Sequence, residues 1–180
     1  MYIPAEDSYL LSETIKDYLS KLNNRNLKVL DLGTGSGIQA QTIIESGIKK
    51  KDILCTDIDS EAIAHLKKKG LRTKKSNLFS NIKGRFDLIS FNPPYLPKDP
   101  YDNGIDTTAG KKGYELIISF LKQAKKHLNK NGAILLLISS LSKPSVIKKE
   151  AKSLGYKIKL LSEKKLFFEK LFVYKLSLKA

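Results

Sequence analysis

Cysteine occurs once in this chain, at Cys55 inside an apolar run, so neither an intrachain disulfide nor a thiolate metal site is available. Such usage fits the reducing cytosol. Tryptophan is absent, and histidine is confined to His65 and His127, each on a lysine-rich segment with no second ligand at metal spacing. Both read as surface residues, and no metal is expected. Long apolar runs are missing as well: the longest, Ala133 to Ile138, falls far short of the ~20 residues of a membrane-spanning helix. Met1-Tyr2-Ile3-Pro4 has no basic region leading into an apolar core, as an export signal would. The expectation is a soluble, unprocessed, cytoplasmic protein without membrane contact. A Ser-His-Asp order, a zinc motif and a phosphate-binding loop with its lysine are also lacking.

Acidic residues are the scarce charge, with 18 Asp and Glu against 33 Lys and Arg and a formal net charge of +15. Such an excess favours a polyanionic partner, because neutralising phosphates releases counterions. The positive charge is almost all lysine, however, in runs such as Lys49 to Lys51, Lys67 to Lys69 and Lys148-Lys149 at helix ends and solvent faces. Arginine and interleaved aromatics, the better marks of nucleic-acid readout, are scarce there. The charge reads first as solubility, with weak RNA or ribosome association as the alternative. With 180 residues and 41% hydrophobic content, the chain suffices for one domain over 1–180 with its own core. Residues 1–24 form a helical segment packed on it.

What is present is an alternation of strand and helix signals. Asp7 to Leu22 places Leu10, Leu11, Ile15, Leu19 and Leu22 at helical spacing behind Pro4 and an acidic first turn. Leu27 to Leu32 is a short apolar run, followed by Gly33-Thr34-Gly35-Ser36-Gly37 and a helical pattern over Ile38 to Ser46. Ile53 to Thr56 reads as a strand, Ser60 to Lys69 as a helix, Leu71 to Ser76 as a weaker strand and Phe86 to Phe91 as a fourth. The irregular stretch Asn92 to Lys112 is longer than a compact domain tolerates without a function, and is expected to wall an active site. Tyr114 to Leu128 reads as a helix, Gly132 to Ser139 as a buried strand and Pro144 to Leu154 as a helix closed by Gly155. Tyr156 to Leu161 and Leu166 to Leu178, joined by Ser162-Glu163-Lys164-Lys165, suggest an antiparallel hairpin on the sheet edge. The whole is an α/β, doubly wound, mostly parallel sheet whose ligands bind beyond the carboxyl ends of its strands.

Two loops at that rim carry chemistry. Asn92-Pro93-Pro94-Tyr95 leaves the end of a buried strand, and its prolines fix their own φ and restrict their predecessors. The Asn92 side-chain oxygen and the Pro93 carbonyl can together accept both hydrogens of an amide or amino group, and Tyr95 can stack on that flat group. This points to methylation of a planar nitrogen, with Asn92, Pro93 and Tyr95 as catalytic candidates and Pro94 completing the substrate contact. Gly33, Gly35 and Gly37 form a strand-to-helix turn where backbone must approach a ligand. Their spacing differs from the Gly-x-Gly-x-x-Gly of pyrophosphate-binding folds. A carboxylate at Asp31 would repel a pyrophosphate but suits the cationic amino end of S-adenosylmethionine. Asp57 ends the second strand, where a carboxylate can hold both ribose hydroxyls; Asp59 competes for that place, or else caps the next helix. Asn77, past the third strand, is placed for an adenine amino group or is a turn residue. Glu6, Asp7 and Ser8 suit the positive end of the first helix.

On these residues the chain resembles the HemK family of class I, S-adenosylmethionine-dependent glutamine methyltransferases, in particular its eukaryotic and archaeal branch. The resemblance runs through Tyr2 to Leu11, Leu30 to Gly37, Cys55-Thr56-Asp57-Ile58, Phe91 to Tyr95, Gly104-Ile105-Asp106, Ala109-Gly110 and Gly113. It implies a Rossmann-like class I fold with a seven-stranded sheet, and methylation of the glutamine amide in the Gly-Gly-Gln tip of a peptide-chain release factor. It further implies cofactor contacts from Ser8, Asp31, Gly33, Asp57, Asn77 and Asn92, and a small zinc-binding activator as partner. Asn77 stands where relatives often have Asp, and Thr108 replaces a frequent aromatic residue. An adenine-N6 methyltransferase of DNA or RNA is the leading alternative, since such loops also serve exocyclic amines, although the size of the chain leads us to expect no added domain to flip a base. Protein lysine methylation and a purely scaffolding role are the others.

Overall fold

The computed structural model describes residues 3–94 and 113–179. Helices and strands alternate in chain order: α1 (Glu6–Ser20), β1 (Val29–Leu32), α2 (Ile38–Glu45), β2 (Ile53–Asp57), α3 (Ser60–Lys68), β3 (Arg72–Lys75), β4 (Phe86–Phe91), α4 (Glu115–Ala124), β5 (Leu128–Ser139), α5 (Pro144–Ser153), β6 (Tyr156–Lys165) and β7 (Lys170–Leu178). The strands make one seven-stranded sheet in the order β3-β2-β1-β4-β5-β7-β6. The pairs from β3 through β5 are parallel, and β7 runs antiparallel to both β5 and β6.

Helices cover both faces of this sheet, which is why the central strands are apolar throughout rather than alternating. On one face Leu30, Leu32, Ile89, Leu136 and Ile138 pack with Ile117, Phe120 and Leu121 of α4 and Ile147 and Ala151 of α5. Tyr156 lies fully buried in that layer, its hydroxyl donating to the Leu121 carbonyl at 2.8 Å. On the other face Val29, Leu88, Leu135 and Leu137 pack with Leu11, Ile15 and Leu19 of α1, Ala40 and Ile43 of α2 and Leu66 of α3. The outer strand β3 reads Arg-Thr-Lys-Lys and is largely exposed, charge that discourages pairing with another chain. No helix among the described residues is long and apolar enough to cross a membrane.

The doubly wound expectation holds, with two local corrections. The helical pattern over Tyr114 to Leu128 ends earlier: α4 stops at Ala124, a 3-10 turn spans Lys125–His127, and Leu128 already belongs to β5. Leu128 pairs with Phe86, and the register shifts before Leu88 pairs with Ala133. A Cβ on Gly132 would sit 2.9 Å from the Phe86 carbonyl oxygen, so this irregularity needs glycine. The hairpin turn also lies later than its polar residues suggest. Ser162 to Lys165 are part of β6, paired with Val173 to Lys170, and the chain reverses where Leu166 N–H donates to the Glu169 carbonyl at 2.8 Å. On an outermost strand the solvent-facing positions are polar, so a polar run there is no turn signal.

Strand order reverses between β1 and β4, whose connections leave in opposite directions. A crevice opens at their carboxyl ends. Leu32 pairs with Phe91, so the residues that follow, Gly33 and Asn92, emerge side by side.

Candidate active site

Three glycines at the end of β1 have left-handed backbone, with φ of +65° at Gly33, +48° at Gly35 and +84° at Gly37. Their surroundings differ. A Cβ on Gly33 would lie 3.3 Å from the Phe91 ring and 3.9 Å from the Asn92 carbonyl oxygen, so the turn abuts the Asn-Pro-Pro loop. A Cβ on Gly37 would lie 2.4 Å from Leu66 Cδ2, so this glycine lets α2 close on α3. Among the described residues a Cβ on Gly35 would meet nothing within 4 Å, so they leave the middle of the turn open.

Asp31 lies beneath the turn, buried, opposite Ser90 in the β1–β4 register. Its two oxygens accept from Ser90 Oγ at 2.8 Å and Thr34 Oγ1 at 2.6 Å. Burial pushes its carboxyl up to about 6; the two hydroxyl bonds pull the other way, and the charge of Asp57 adds to the rise. A cation beside the turn would relieve that cost.

Asp57, half-buried at the end of β2, accepts the Gly35 N–H at 2.8 Å on one oxygen and the Asp59 N–H at 2.9 Å on the other. Asp59 accepts from the Glu61 N–H at 2.8 Å and caps α3, the second of its two sequence readings. Next to Asp57 stands Ile58, 47% exposed, an apolar surface at the rim that pattern reading passed over. An isoleucine set between two acids, Asp57 and Asp59, just past the apolar run was the signal for it. Asn77 is exposed beyond β3, its carbonyl accepting from the Ser80 N–H at 3.1 Å. Leu78 follows it at a φ of +47°, unusual for a non-glycine residue, in a loop fastened by Ser76 Oγ donating to the Leu78 carbonyl at 2.8 Å.

At the end of β4, Asn92 Nδ2 donates to Asp7 Oδ2 at 2.9 Å. Its other atom, Oδ1, is buried and has no hydrogen-bond partner among the described residues. Pro93 is buried and Pro94 half-buried. Tyr95, Tyr2 and the stretch through Lys112, with Gly104-Ile105-Asp106, Thr108 and Ala109-Gly110, lie outside the described residues.

Asp7 is the site residue that sequence reasoning missed, having assigned it to the helix dipole. It is buried, and the Ser8 N–H donates to its Oδ1 at 2.6 Å. Ser8 itself is buried, and its carbonyl accepts from Gln39 Nε2 of α2 at 3.0 Å. The signal was present: position 7 precedes Leu10, Leu11 and Ile15 by 3, 4 and 8 residues, which puts a carboxylate on the apolar face of α1.

Residues 10–156 match the family described as Methyltransferase small domain. A Methanocaldococcus jannaschii protein provisionally named protein N5-glutamine methyltransferase MJ0928 is 34% identical over 96% of this chain and 89% of its own. Mouse Methyltransferase HEMK2 is 28% identical over 86% of this chain and 79% of its own. Ribosomal RNA small subunit methyltransferase C of Haemophilus influenzae is 35% identical over 68% of this chain, but only 36% of its own. In fold, the chain matches the structure of the E. cuniculi Mtq2-Trm112 complex, responsible for methylation of the eRF1 translation termination factor, with a TM-score of 0.81 at 23% identity over 99% of this chain and 98% of that one. A turn of glycines over a buried acid, set beside an Asn-Pro-Pro loop at the switch point of a doubly wound sheet, thus has its relatives, and the chain belongs to the small-domain methyltransferases, within them to the N5-glutamine methyltransferases of HemK type.

Proposed function

We propose that this enzyme transfers a methyl group from S-adenosylmethionine to the side-chain amide nitrogen of the glutamine in the Gly-Gly-Gln motif of a peptide-chain release factor. The observation that carries this reading is the state of Asn92: Asp7 holds its amino group, and its buried carbonyl oxygen has no hydrogen-bond partner among the described residues. A buried acceptor left unpaired costs about 1–3 kcal/mol, and a substrate N–H recovers it. Two names support the two halves of this reading: MJ0928 is named for the N5 of a protein glutamine, and the Mtq2 complex for methylation of the eRF1 termination factor.

The residues present fit S-adenosylmethionine. Open space over Gly35 leaves room for a ligand against the turn of Gly33, Gly35 and Gly37, Asp31 supplies buried negative charge below it, and Asp57 is a carboxylate at the rim. Asp31 and the turn would hold the amino-acid end, Asp57 the ribose, and Asn77 with the apolar face of Ile58 the adenine; Ser8 fixes the helix end behind them. When bound, the cofactor supplies an electrophilic methyl group on a cationic sulfur.

An amide nitrogen is barely nucleophilic because its lone pair is delocalised. Asn92 Oδ1 and the Pro93 carbonyl grip its two hydrogens, hold the nitrogen in line with the methyl group, and favour the positive charge that grows on it during attack. Tyr95 and Pro94 form the flat wall against the amide. Positioning and electrostatics carry the step: once methylated, the nitrogen holds its hydrogens so weakly that one of the two leaves as a proton to water, and no strong base is required.

Mtq2 was solved with Trm112, which supports a partner protein here; that this partner is a small zinc-binding activator is carried from the family resemblance, and the cytoplasm is the proposed place of action. The resemblance to ribosomal RNA methyltransferases favours a second reading, transfer to a nucleic-acid amine. One assay separates them. Labelled S-adenosylmethionine is offered with a release factor, with its Gly-Gly-Ala variant and with oligonucleotides, each with and without the activator. Label on the wild-type factor alone is expected; label on the variant, on its lysines or on the oligonucleotide overturns the glutamine reading.

A further inference from the structure

The hairpin joining β6 to β7 ends in Phe167 and Phe168, 91% and 86% exposed, packed edge to face with ring centroids 4.6 Å apart. Two adjacent phenylalanines in water are a standing cost, and each removes on the order of 150–250 Å² from solvent when covered. Their location gives the cost a purpose. Leu171, just past the turn, pairs with Ser139 at the carboxyl end of β5, so the hairpin tip rises from the same rim as the glycine turn and Asn92.

The tip is also held still. Leu166 N–H closes the turn on the Glu169 carbonyl at 2.8 Å, Ser139 Oγ donates to the Glu169 carboxylate, and the Lys170 N–H donates to Ser140 Oγ at 3.0 Å. Lys170 pairs with Glu163 at 2.7 Å across the strands. Lys164 pairs with Glu6, the neighbour of the Asp7 that holds Asn92. A chain of contacts thus fixes the aromatic tip relative to the acceptor-binding asparagine.

We infer that Phe167 and Phe168 are a docking element for the folded acceptor protein, inserting into an apolar pocket on its surface away from the glutamine-bearing tip. This rests on the glutamine-transfer reading. The pair is convex, so the concave half belongs to the partner, and rigid aromatic anchors lose little entropy on binding. Locally the charges balance, since Glu169 bonded to the neutral Ser139 hydroxyl keeps its charge and offsets Lys165; the positive field that suits an acidic rim around that pocket is that of the whole chain, at a net +15. A peptide carrying only Gly-Gly-Gln would fill the crevice without reaching the tip.

The test compares the wild type with a Phe167→Ser/Phe168→Ser variant on a purified class 1 release factor and on a short Gly-Gly-Gln peptide. Expected are a KM for the folded factor raised at least tenfold, kcat within twofold, unchanged turnover of the peptide, and recovery of most of the loss by Phe167→Leu/Phe168→Leu. Direct binding of the release factor to immobilised enzyme should weaken by the same factor, while calorimetric binding of S-adenosylmethionine stays as it was. Equal KM and equal binding for the two proteins would overturn the inference. So would a wild-type dimer in sedimentation that the serine variant dissolves without a change in release-factor binding, since the tip would then join copies of this chain. A wild type that binds the factor through the tip yet leaves its glutamine unmodified would uphold the docking and refute the glutamine reading.

Discussion

Asp7 Oδ2 and Asn92 Nδ2 lie 2.9 Å apart, joining the first turn of α1 to the end of β4 across 85 positions of sequence. The bond fixes which end of the Asn92 amide is engaged, and on the proposed reading it is what presents the carbonyl oxygen to the substrate amide. Without it the amide can turn over and offer a donor where an acceptor is needed.

Asp7→Ala is therefore expected to lower kcat by about 10- to 100-fold, in line with the ~1–3 kcal/mol of an unpaired buried group. Binding of S-adenosylmethionine should change little. Asn92→Ala should abolish turnover while calorimetric affinity for the cofactor stays within a few fold. Retained activity in Asn92→Ala would exclude it as the acceptor.

The raised carboxyl of Asp31 sets a pH dependence. In the folded protein it lies at about 6, above the ordinary 3.8 of an aspartate, so between these the folded state binds more protons than the unfolded one. Asp31 thus favours folding more as pH falls through 6 towards 4, and costs stability above 6. Cofactor binding runs the other way, because a cationic amino group needs the ionised acid. Affinity for S-adenosylmethionine should rise about tenfold from pH 5 to 7, which is one linked proton. In Asp31→Asn, calorimetry across the same range should give weaker binding and a nearly flat profile.

Gly35 and Gly37 should separate binding from stability. Both have positive φ, so alanine at either costs on the order of 1 kcal/mol. At Gly37 the added methyl also meets Leu66, and a further ~1–3 kcal/mol of overpacking is expected in denaturant melts. At Gly35 the methyl enters open space that the cofactor should occupy. Gly35→Ala is expected to be the milder variant in melts and the worse in cofactor affinity.

Tyr156→Phe removes the hydroxyl that satisfies the Leu121 carbonyl near the end of α4 and keeps the ring in the core. A loss of about 1 kcal/mol in urea unfolding is expected, with kcat and KM unaltered.

Most of the scaffold could be read from short-range pattern. Apolar runs bounded by glycine and polar residues located β1, β2 and β4, and helical spacing located α1, α2, α3 and α5, because burial on two faces or on one leaves a local periodic mark. Where α4 gives way to β5 and where the last hairpin turns left no such mark. Both depend on partners distant in sequence: Phe86 for Leu128, and an edge strand open to water for Ser162 to Lys165. The site divides along the same line. The Asn-Pro-Pro loop, the glycine turn and the strand-ending acids stand out through residue type and spacing, since turns and backbone approach restrict which residues can serve. That Asp7 orients Asn92, that Ser90 and Thr34 support a buried Asp31, and that an aromatic hairpin shares the rim follow from the winding of the sheet, which brings together ends of elements that local patterning cannot pair.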